Sequence, residues 1–246
     1  MKKSGIIIAF IAGISIIVAA LAVSISFYNT KGPVKTVSVV GLAEKDFVSD
    51  LIVWNLSMEI LDMNLQSGYA KIKEQNNIVR EYLLGKGIPE SELVFNAIDT
   101  REDYQYDWDS RSGRNIQTFR GYKLVQSIRI ESQEVEKIEK IAREVSELLD
   151  KGIQINAYSP EYYYTKLADL KIEMLANAAQ DARNRAETIA INAGASLGGL
   201  KLANMGVFQI TAPNSANEDY TWGGAFNTSS KNKRASINMR LTYFVK

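Results

Sequence analysis

The sequence contains no cysteine and no histidine. Without cysteine there is no disulfide, no thiolate nucleophile, no lipoprotein anchor site and no iron–sulfur cluster. Without histidine there is no Ser-His-Asp triad, no histidine zinc site and no histidine general base. The remaining catalytic groups are carboxylates, lysine, tyrosine, serine and threonine, or a metal held by oxygen ligands. We predict that the protein is not an enzyme and has no catalytic residue, cofactor or metal site.

A strong net charge is also missing, because the formal charge is only +1 at pH 7. Lys2, Lys3 and Lys31 lie in the N-terminal segment, and without them 26 basic and 28 acidic side chains remain, a net charge of −2. Non-specific binding to nucleic acid depends on neutralising phosphates, so we expect no nucleic-acid partner. The sequence also lacks a phosphate-binding glycine loop, a dinucleotide fingerprint and a nucleophile elbow.

The longest apolar run lies at the N-terminus. Lys2 and Lys3 precede a stretch without charged residues, whose apolar part extends from Gly5 to Phe27. At 1.5 Å per residue, a helix of this length spans the roughly 30 Å hydrocarbon layer of a bilayer. The sequence therefore predicts a single membrane-spanning helix through residues 5–27.

We predict that residues 1–31 are an uncleaved membrane anchor and that residues 32–246 form one exported α+β domain. The two N-terminal lysines favour a cytoplasmic N-terminus, which places the C-terminal domain in the periplasm or outside the cell. The alternative is a signal peptide that is cleaved after Ala20-Leu21-Ala22. Either interpretation exports the same domain.

The rest of the chain alternates between strand-like and helix-like patterns. Strands are predicted at 34–40, 47–61, 93–99, 118–131, 153–165, 200–211 and 235–245, and helices at 65–84, 134–149 and 167–193. Asn64 and Ser132 are expected to cap helices, and Pro160 to break a strand. The order predicts a largely antiparallel sheet with helices packed on one face. Two βαββ-like halves, 46–131 and 153–245, would be joined by a helix.

Small residues recur at every fourth position of the third predicted helix. This row consists of Ala178, Ala182, Ala186 and Ala190. Small side chains on one ridge let a helix lie close to a sheet or to another helix. We therefore predict close packing along this row.

The helix at 167–193 resembles the characteristic helix of the SIMPL-domain (YggE-like) family. Two further segments resemble family patterns, Val37-Ser38-Val39-Val40-Gly41 and Gly85-Lys86-Gly87-Ile88. The strand at Gly121-Tyr122 and the closing strand follow in the family's order, so the resemblance covers residues 34–246. Glu44-Lys45-Asp46 departs from the proline-aspartate pair of many relatives.

The resemblance implies an exported, periplasmic or membrane-attached protein without an assigned activity. Some similar proteins are linked to oxidative-stress tolerance or form ring-shaped oligomers, and the family has no accepted catalytic residues to carry over. We therefore expect a membrane-anchored interaction or assembly module of the cell envelope that forms a homo-oligomer. An envelope protein or polysaccharide is a further expected partner. The alternative functions are a polysaccharide-binding module and a carboxylate-dependent hydrolase.

Aromatic residues in three places are the candidate contacts for a partner or ligand. Tyr104 and Trp108 alternate with acidic residues in the hairpin, and Tyr162 and Tyr164 follow Pro160. Trp222 lies in a long polar loop. Aromatic rings provide stacking faces and large contact areas. The alternatives are a solvated hairpin tip, a core or subunit-interface strand and a mobile loop, respectively.

The hydrolase alternative rests on the acidic residues of the same hairpin. These residues are Glu102, Asp103, Asp107 and Asp109. Glycoside hydrolysis needs two carboxyl groups held about 5–9.5 Å apart in a cleft. Arg101, Arg111 and Arg114 lie nearby and can instead neutralise the acidic residues across the hairpin.

Overall fold

The computed structural model describes the backbone of residues 2–31, 35–109, 113–213 and 223–246, and their side chains except at 2–9, 27–31 and 109. The chain has an α+β fold, as predicted. In chain order the elements are α1 (Lys2–Lys31), β1 (Thr36–Val48), β2 (Leu51–Asp62), α2 (Leu65–Gly85), β3 (Leu93–Phe95), β4 (Asp99–Asp109), β5 (Arg114–Ser132), α3 (Val135–Glu144), β6 (Ile155–Ala157), β7 (Glu161–Tyr163), α4 (Leu167–Asn192), β8 (Leu197–Met205), β9 (Gln209–Thr211) and β10 (Asn232–Val245).

Helix α1 is continuous, and its described side chains from Phe10 to Ser26 are all exposed. Over the described part of the chain, no helix combines the length and the hydropathy that a bilayer crossing requires. The membrane anchor therefore stays a prediction.

The chain divides into two compact units, each built from separate segments. The first unit comprises Met1–Ala43, Leu175–Gly206 and Asn238–Lys246. The second unit comprises Glu44–Met174 and Val207–Ile237. The single exported domain at 32–246 stays a prediction.

In a four-stranded sheet, β10 lies between β1 and β8, and β9 also pairs with β10. β10 is antiparallel to β8. It is also antiparallel to β1, because the Val245 N–H donates to the Lys35 carbonyl at 3.0 Å while the Ser38 and Thr242 hydroxyls lie 3.1 Å apart.

The alanine row of α4 packs against this sheet, which confirms the predicted close packing. Its four residues are at most 2% exposed, and Ala182 and Ala186 contact Val39, Leu241 and Tyr243. The contact with β1 is closest at Gly41, where an added Cβ would lie 2.2 Å from the Ala178 carbonyl oxygen. Only glycine fits without displacing one of these elements.

Gly41 was predicted to end the first strand, and this prediction is wrong. β1 continues through it to Val48 and includes Phe47, which the sequence pattern assigned to the next strand. The two strands are separated by Ser49 and Asp50. The physical reason is that Gly41 provides room for α4 instead of a turn.

The second unit contains a sheet in the order β3-β5-β2-β6, with β4 pairing β5 and β7 pairing β2. All these pairs are antiparallel. Helices α2 and α3 pack on one face, where β2 contributes every second side chain to the core. These β2 side chains are Ile52, Trp54, Leu56 and Met58. Within this unit, the prediction of helices on one face is confirmed.

Local signals placed one cap and one strand break correctly. The Asn64 side chain accepts hydrogen bonds from the N–H groups of Gln66 and Ser67 at 2.9 and 3.0 Å. The predicted cap at Ser132 is wrong, because Ser132 ends β5 and the N-cap of α3 is Glu134, which makes no side-chain capping hydrogen bond. The Ser132 hydroxyl oxygen instead accepts from the Glu134 N–H at 3.1 Å, before the helix begins. Pro160 separates β6 from β7.

The prediction of one sheet made from two βαββ-like halves is wrong. The described strands form two sheets, and β6 and β7 join the sheet of the first predicted half because they pair with the free edge of β2. β8 and β10 pair with each other instead. A central strand with side chains buried on both faces, such as Val53 and Trp54 of β2, favours a neighbour on each edge.

Replacing Gly41 by alanine tests the closest contact in the first unit. We expect Gly41→Ala to lower the free energy of unfolding by about 1–3 kcal/mol, because the new methyl group overlaps the backbone of α4. Urea denaturation of the full chain in detergent measures this change. The matched control is Gly199→Ala on β8, where an added Cβ meets nothing within 4 Å. Equal midpoints for the two variants would contradict the prediction.

Candidate functional site

β4 and β5 continue as a two-stranded ribbon beyond the end of β2. β2 pairs with β5 from Ser132 back to Tyr122, and between Gly121 and Arg114 the described neighbour of β5 is β4. We call residues 103–109 and 114–121 the aromatic ribbon. At about 3.4 Å per residue, its seven-residue β4 strand extends over roughly 20 Å.

A β-bulge marks the base of the ribbon. Asp103 pairs with Gly121 and Tyr104 with Phe119, so Arg120 is an extra residue on β5. Gly121 has φ +126°, and an added Cβ would lie 2.6 Å from the Asp62 carbonyl oxygen. The bulge therefore lets the ribbon leave the sheet close to the end of β2. Sequence reasoning missed it, since a glycine within a strand was its only signal.

One face of the ribbon is aromatic. Tyr104, Tyr106 and Trp108 alternate along β4, so their side chains share a face. The Phe119 ring packs edge-on against Tyr104 and against Tyr122, with ring centroids 5.4 Å apart in both pairs. Tyr106 and Trp108, nearer the tip, are 66% and 67% exposed. The face is thus packed at its base and open at its end.

Three acidic residues in or beside the ribbon make short-range contacts. The Tyr104 hydroxyl donates to Glu102 at 2.6 Å, and this bond raises the pKa of Tyr104. The Gln105 amide donates to Asp107 at 3.0 Å. Asp103 forms an ion pair with Arg120 at 3.7 Å, an arginine that the sequence reasoning had not proposed for this role.

The exposed positions of Glu102 and Asp107 do not provide the enclosed carboxylate pair of a glycoside hydrolase. In the described residues, no group of acidic side chains is arranged to hold a metal ion. The arrangement instead offers an aromatic surface with hydrogen-bonding carboxylates beside it.

Tyr162 and Tyr164 lie at the opposite end of β2. Tyr162 pairs with Ile52 and packs at the edge of the core, whereas the ribbon begins beside Asp62. The Tyr164 ring packs on Phe47 at 4.8 Å. The candidate residues therefore do not form one site.

The hydroxyl of Tyr162 faces Glu139 on α3. Burial, reinforced by a hydrogen bond to Glu139, raises the pKa of Tyr162 to about 12. Glu139 also pairs with Lys231 at 3.0 Å, and this bond raises the pKa of Lys231. Tyr162 thus connects β7 to α3 and to the segment before β10. Trp222 lies outside the described residues.

A buried lysine was missed by sequence reasoning. Lys233 is 1% exposed, and its ammonium group donates to the carbonyl of Asn227 and, at 2.7 Å, to that of Ser230. The next residue, Arg234, donates two hydrogen bonds to Asp46 at 2.6 and 2.9 Å. These contacts hold the end of the polar loop. A lysine beside an arginine after a polar loop gives no sequence signal of burial.

Comparison with known proteins identifies the family. The family model described as SIMPL, protein of unknown function (DUF541), matches residues 37–240. The chain belongs to the SIMPL family. This match confirms the resemblance seen in the sequence, and it assigns no activity to SIMPL proteins. No curated protein matches the sequence.

The raised pKa of Tyr162 predicts that this SIMPL protein loses stability at alkaline pH. Its folded pKa of about 12 lies above the ordinary value of 10, so the neutral phenol stabilises the fold below pH 10. That contribution is lost as the pH rises from 10 to 12. We therefore expect the stability difference between the native protein and Tyr162→Phe to shrink over this range. Urea denaturation at each pH measures it.

The control for this titration is Tyr69→Phe, which changes an exposed tyrosine on α2. We expect this substitution on the protein surface to change the free energy of unfolding little. If the difference in free energy of unfolding between the native protein and Tyr162→Phe stayed constant from pH 9 to pH 12, the raised pKa of Tyr162 would be contradicted.

Proposed function

We propose that this SIMPL protein is a non-enzymatic interaction module of the cell envelope, tethered to a membrane by α1 and assembled with further copies through the aromatic ribbon. The N-terminus lies in the cytoplasm and the chain after α1 lies in the periplasm or outside the cell. The observation that carries the proposal is the apolar, exposed surface of α1.

Large apolar side chains of α1 are exposed on a wide part of its surface. They are 52–72% exposed, and they are Phe10, Ile11, Ile14, Ile16, Ile17, Val18, Leu21, Val23 and Ile25. Burying each such side chain contributes about 1.5–3 kcal/mol. Alanine and glycine occupy most of the remaining surface, so α1 lacks the polar face of a surface helix. A lipid environment would bury the apolar side chains on all sides of α1.

The polar groups of α1 are compatible with lipid. The Ser15 hydroxyl donates to the Ile11 carbonyl at 2.9 Å, so it needs no partner outside the helix. The charged residues Lys2, Lys3 and Lys31 stand at the two ends. The two N-terminal lysines support the cytoplasmic orientation.

The aromatic ribbon supports assembly. An isolated two-stranded hairpin is marginally stable in water, and this one also exposes Tyr106 and Trp108. In the described structure β4 pairs with β5 alone, so the ribbon keeps open edges. A second copy could cover the aromatic face and pair with an edge. The resemblance to ring-forming relatives also supports assembly of several copies. The same resemblance suggests a link to oxidative-stress tolerance.

A second candidate function is binding of envelope polysaccharide by the same face. Tyr104, Tyr106 and Trp108 present consecutive rings, which could stack on consecutive sugar units. Retention of the protein by cell-wall material, lost in Trp108→Ala, would favour this function over assembly.

The tether is tested by alkaline carbonate extraction of membranes that contain the full chain. We expect the native protein to stay in the membrane pellet. Ile14→Arg with Ile17→Arg should release it, since each arginine near a helix centre costs about 2.5–3.5 kcal/mol of insertion. The matched control is Val94→Arg with Ile172→Arg, at exposed apolar positions outside α1 and outside the aromatic ribbon. Release of the native chain by carbonate would overturn the tether.

Assembly is tested by light scattering of the full chain in detergent. We expect the native protein to have the mass of several copies. Tyr106→Ala with Trp108→Ala should weaken the affinity between subunits at least several-fold and so lower the measured mass. Tyr69→Ala, at an exposed tyrosine of α2, is the control and should leave the mass unchanged. A monomeric native protein at all concentrations would refute assembly without affecting the tether.

A further inference from the structure

The two compact units carry opposite charge, which the near-neutral total conceals. Outside α1, the first unit has six basic and two acidic side chains, a net charge of +4. The second unit has 20 basic and 26 acidic side chains, a net charge of −6. The basic side chains of the first unit are Lys35, Arg183, Arg185, Lys201, Arg240 and Lys246, and the acidic ones are Asp181 and Glu187.

Three of these lysines lie at one end of the sheet. The Val245 N–H bonds to the Lys35 carbonyl at 3.0 Å, which brings the start of β1 beside the end of β10. Ser196 and Lys246 exchange two backbone hydrogen bonds at 2.9 and 3.0 Å, which adds the start of β8. The Lys201 ammonium group lies 5.7 Å from the centre of the Phe244 ring.

The C-terminal end of α4 lies at the same end of the sheet. The Ala195 N–H bonds to the Ala190 carbonyl at 2.9 Å, directly before Ser196. Ile191, in the last turn of α4, is 64% exposed, and Phe244 is 38% exposed. We call Lys35, Ile191, Lys201, Phe244 and Lys246 the proximal surface. At this end of the sheet it combines three exposed lysines with two exposed apolar residues, Ile191 on α4 and Phe244 on the sheet face opposite to Tyr243, which packs on α4.

The acidic groups near this surface are few. Among the described residues, none of the three lysines forms an ion pair with an acidic side chain. Glu187 lies one helical turn before Ile191 and is the acidic side chain of α4 nearest to its end. Asp181 is engaged farther back, where it accepts from the Leu42 N–H at 2.9 Å and pairs with Arg185 at 2.8 Å.

The covalent chain keeps the proximal surface close to α1. Lys31 ends α1, and four Cα–Cα steps of 3.8 Å lead to Lys35, so the two residues are separated by at most about 15 Å. If α1 spans a bilayer, Lys35 lies within this distance of the lipid headgroups. Exposed lysines and apolar side chains are the features by which peripheral surfaces bind anionic lipid.

We infer that the proximal surface binds the headgroups of anionic phospholipids, with Ile191 and Phe244 entering the interface between headgroups and acyl chains. The inference rests on the proposed tether, and it adds a second contact by which the first unit is held against the bilayer. The net charge of +4 and the short connection to α1 favour a lipid surface over a protein partner as its occupant.

The test uses the full chain with a single cysteine, Ile191→Cys, because the native sequence has none. The cysteine carries an environment-sensitive fluorophore, and the protein is reconstituted into vesicles with a headgroup-labelled quencher lipid in both leaflets. Phosphatidylcholine vesicles with and without phosphatidylglycerol are compared. We expect strong quenching with phosphatidylglycerol, and weaker quenching without it or in high salt.

Charge reversal gives the matched comparison. We expect Lys35→Glu, Lys201→Glu and Lys246→Glu together to abolish most of the quenching, since each lysine near an anionic surface is worth a factor of about five in binding. The control is Lys73→Glu with Lys140→Glu and Lys166→Glu, which changes the net charge equally at exposed lysines of the second unit. The control should keep the native quenching.

Vesicle flotation after carbonate treatment separates the two proposals. A chain that floats but shows no quenching, or equal quenching with and without phosphatidylglycerol, overturns the lipid-binding surface and leaves the tether intact. A chain that does not float overturns the tether and the inference that rests on it. A fluorophore that is already shielded in lipid-free detergent would show that protein covers the surface, which also overturns the inference.

Discussion

The close contact between α4 and β1 is the constraint on which the first unit depends. Helix α4 packs on the core side of the sheet that contains β1. The helix and β1 approach so closely that Gly41 has no room for a Cβ beside Ala178. The alanine row provides the other half of this contact. A helix that lies so near a sheet buries the strand side chains Val39, Leu241 and Tyr243 beneath short side chains. Larger residues on either side would separate the helix from the sheet and expose them.

The second unit is stabilised differently, by large side chains between one face of its sheet and two helices. Trp54 on β2 is completely buried, and its indole N–H donates to the Tyr158 carbonyl at 3.0 Å. Polar contacts then fix the surrounding segments: Tyr162 meets Glu139, and Lys233 binds carbonyl groups of the preceding loop. In the described structure, Tyr106 and Trp108 of the aromatic ribbon are exposed. Its exposed rings are therefore available for contacts with other molecules.

Periodic features were predictable from the sequence because a single segment contains the whole signal. The fourfold spacing of the alanines identified a packed ridge, and the Asn64 cap depends on neighbours two and three residues away. The α+β class followed from the order of the segments. The alternation of Tyr104, Tyr106 and Trp108 was visible too, although only the structure shows that Phe119 and Tyr122 complete the aromatic face.

Features that depend on distant partners were not predictable. Gly41 resembles a strand end until Ala178 is placed against it, and Gly121 shows its role only beside the end of β2. The pairing of β6 and β7 with β2 depends on which edge of that strand is free. The burial of Lys233 depends on carbonyl groups that the folded loop directs inward. The opposite charges of the two units emerged only once the structure divided the chain.

The central claim is that α1 holds the rest of the protein on the outer side of a membrane. Labelling of a single cysteine, Lys140→Cys at an exposed position of α3, tests it most directly in living cells, because no native cysteine interferes. A maleimide that cannot cross the cytoplasmic membrane should label this cysteine in spheroplasts as completely as after lysis. Labelling that occurs only after lysis would place the chain after α1 inside the cell and contradict the proposed tether.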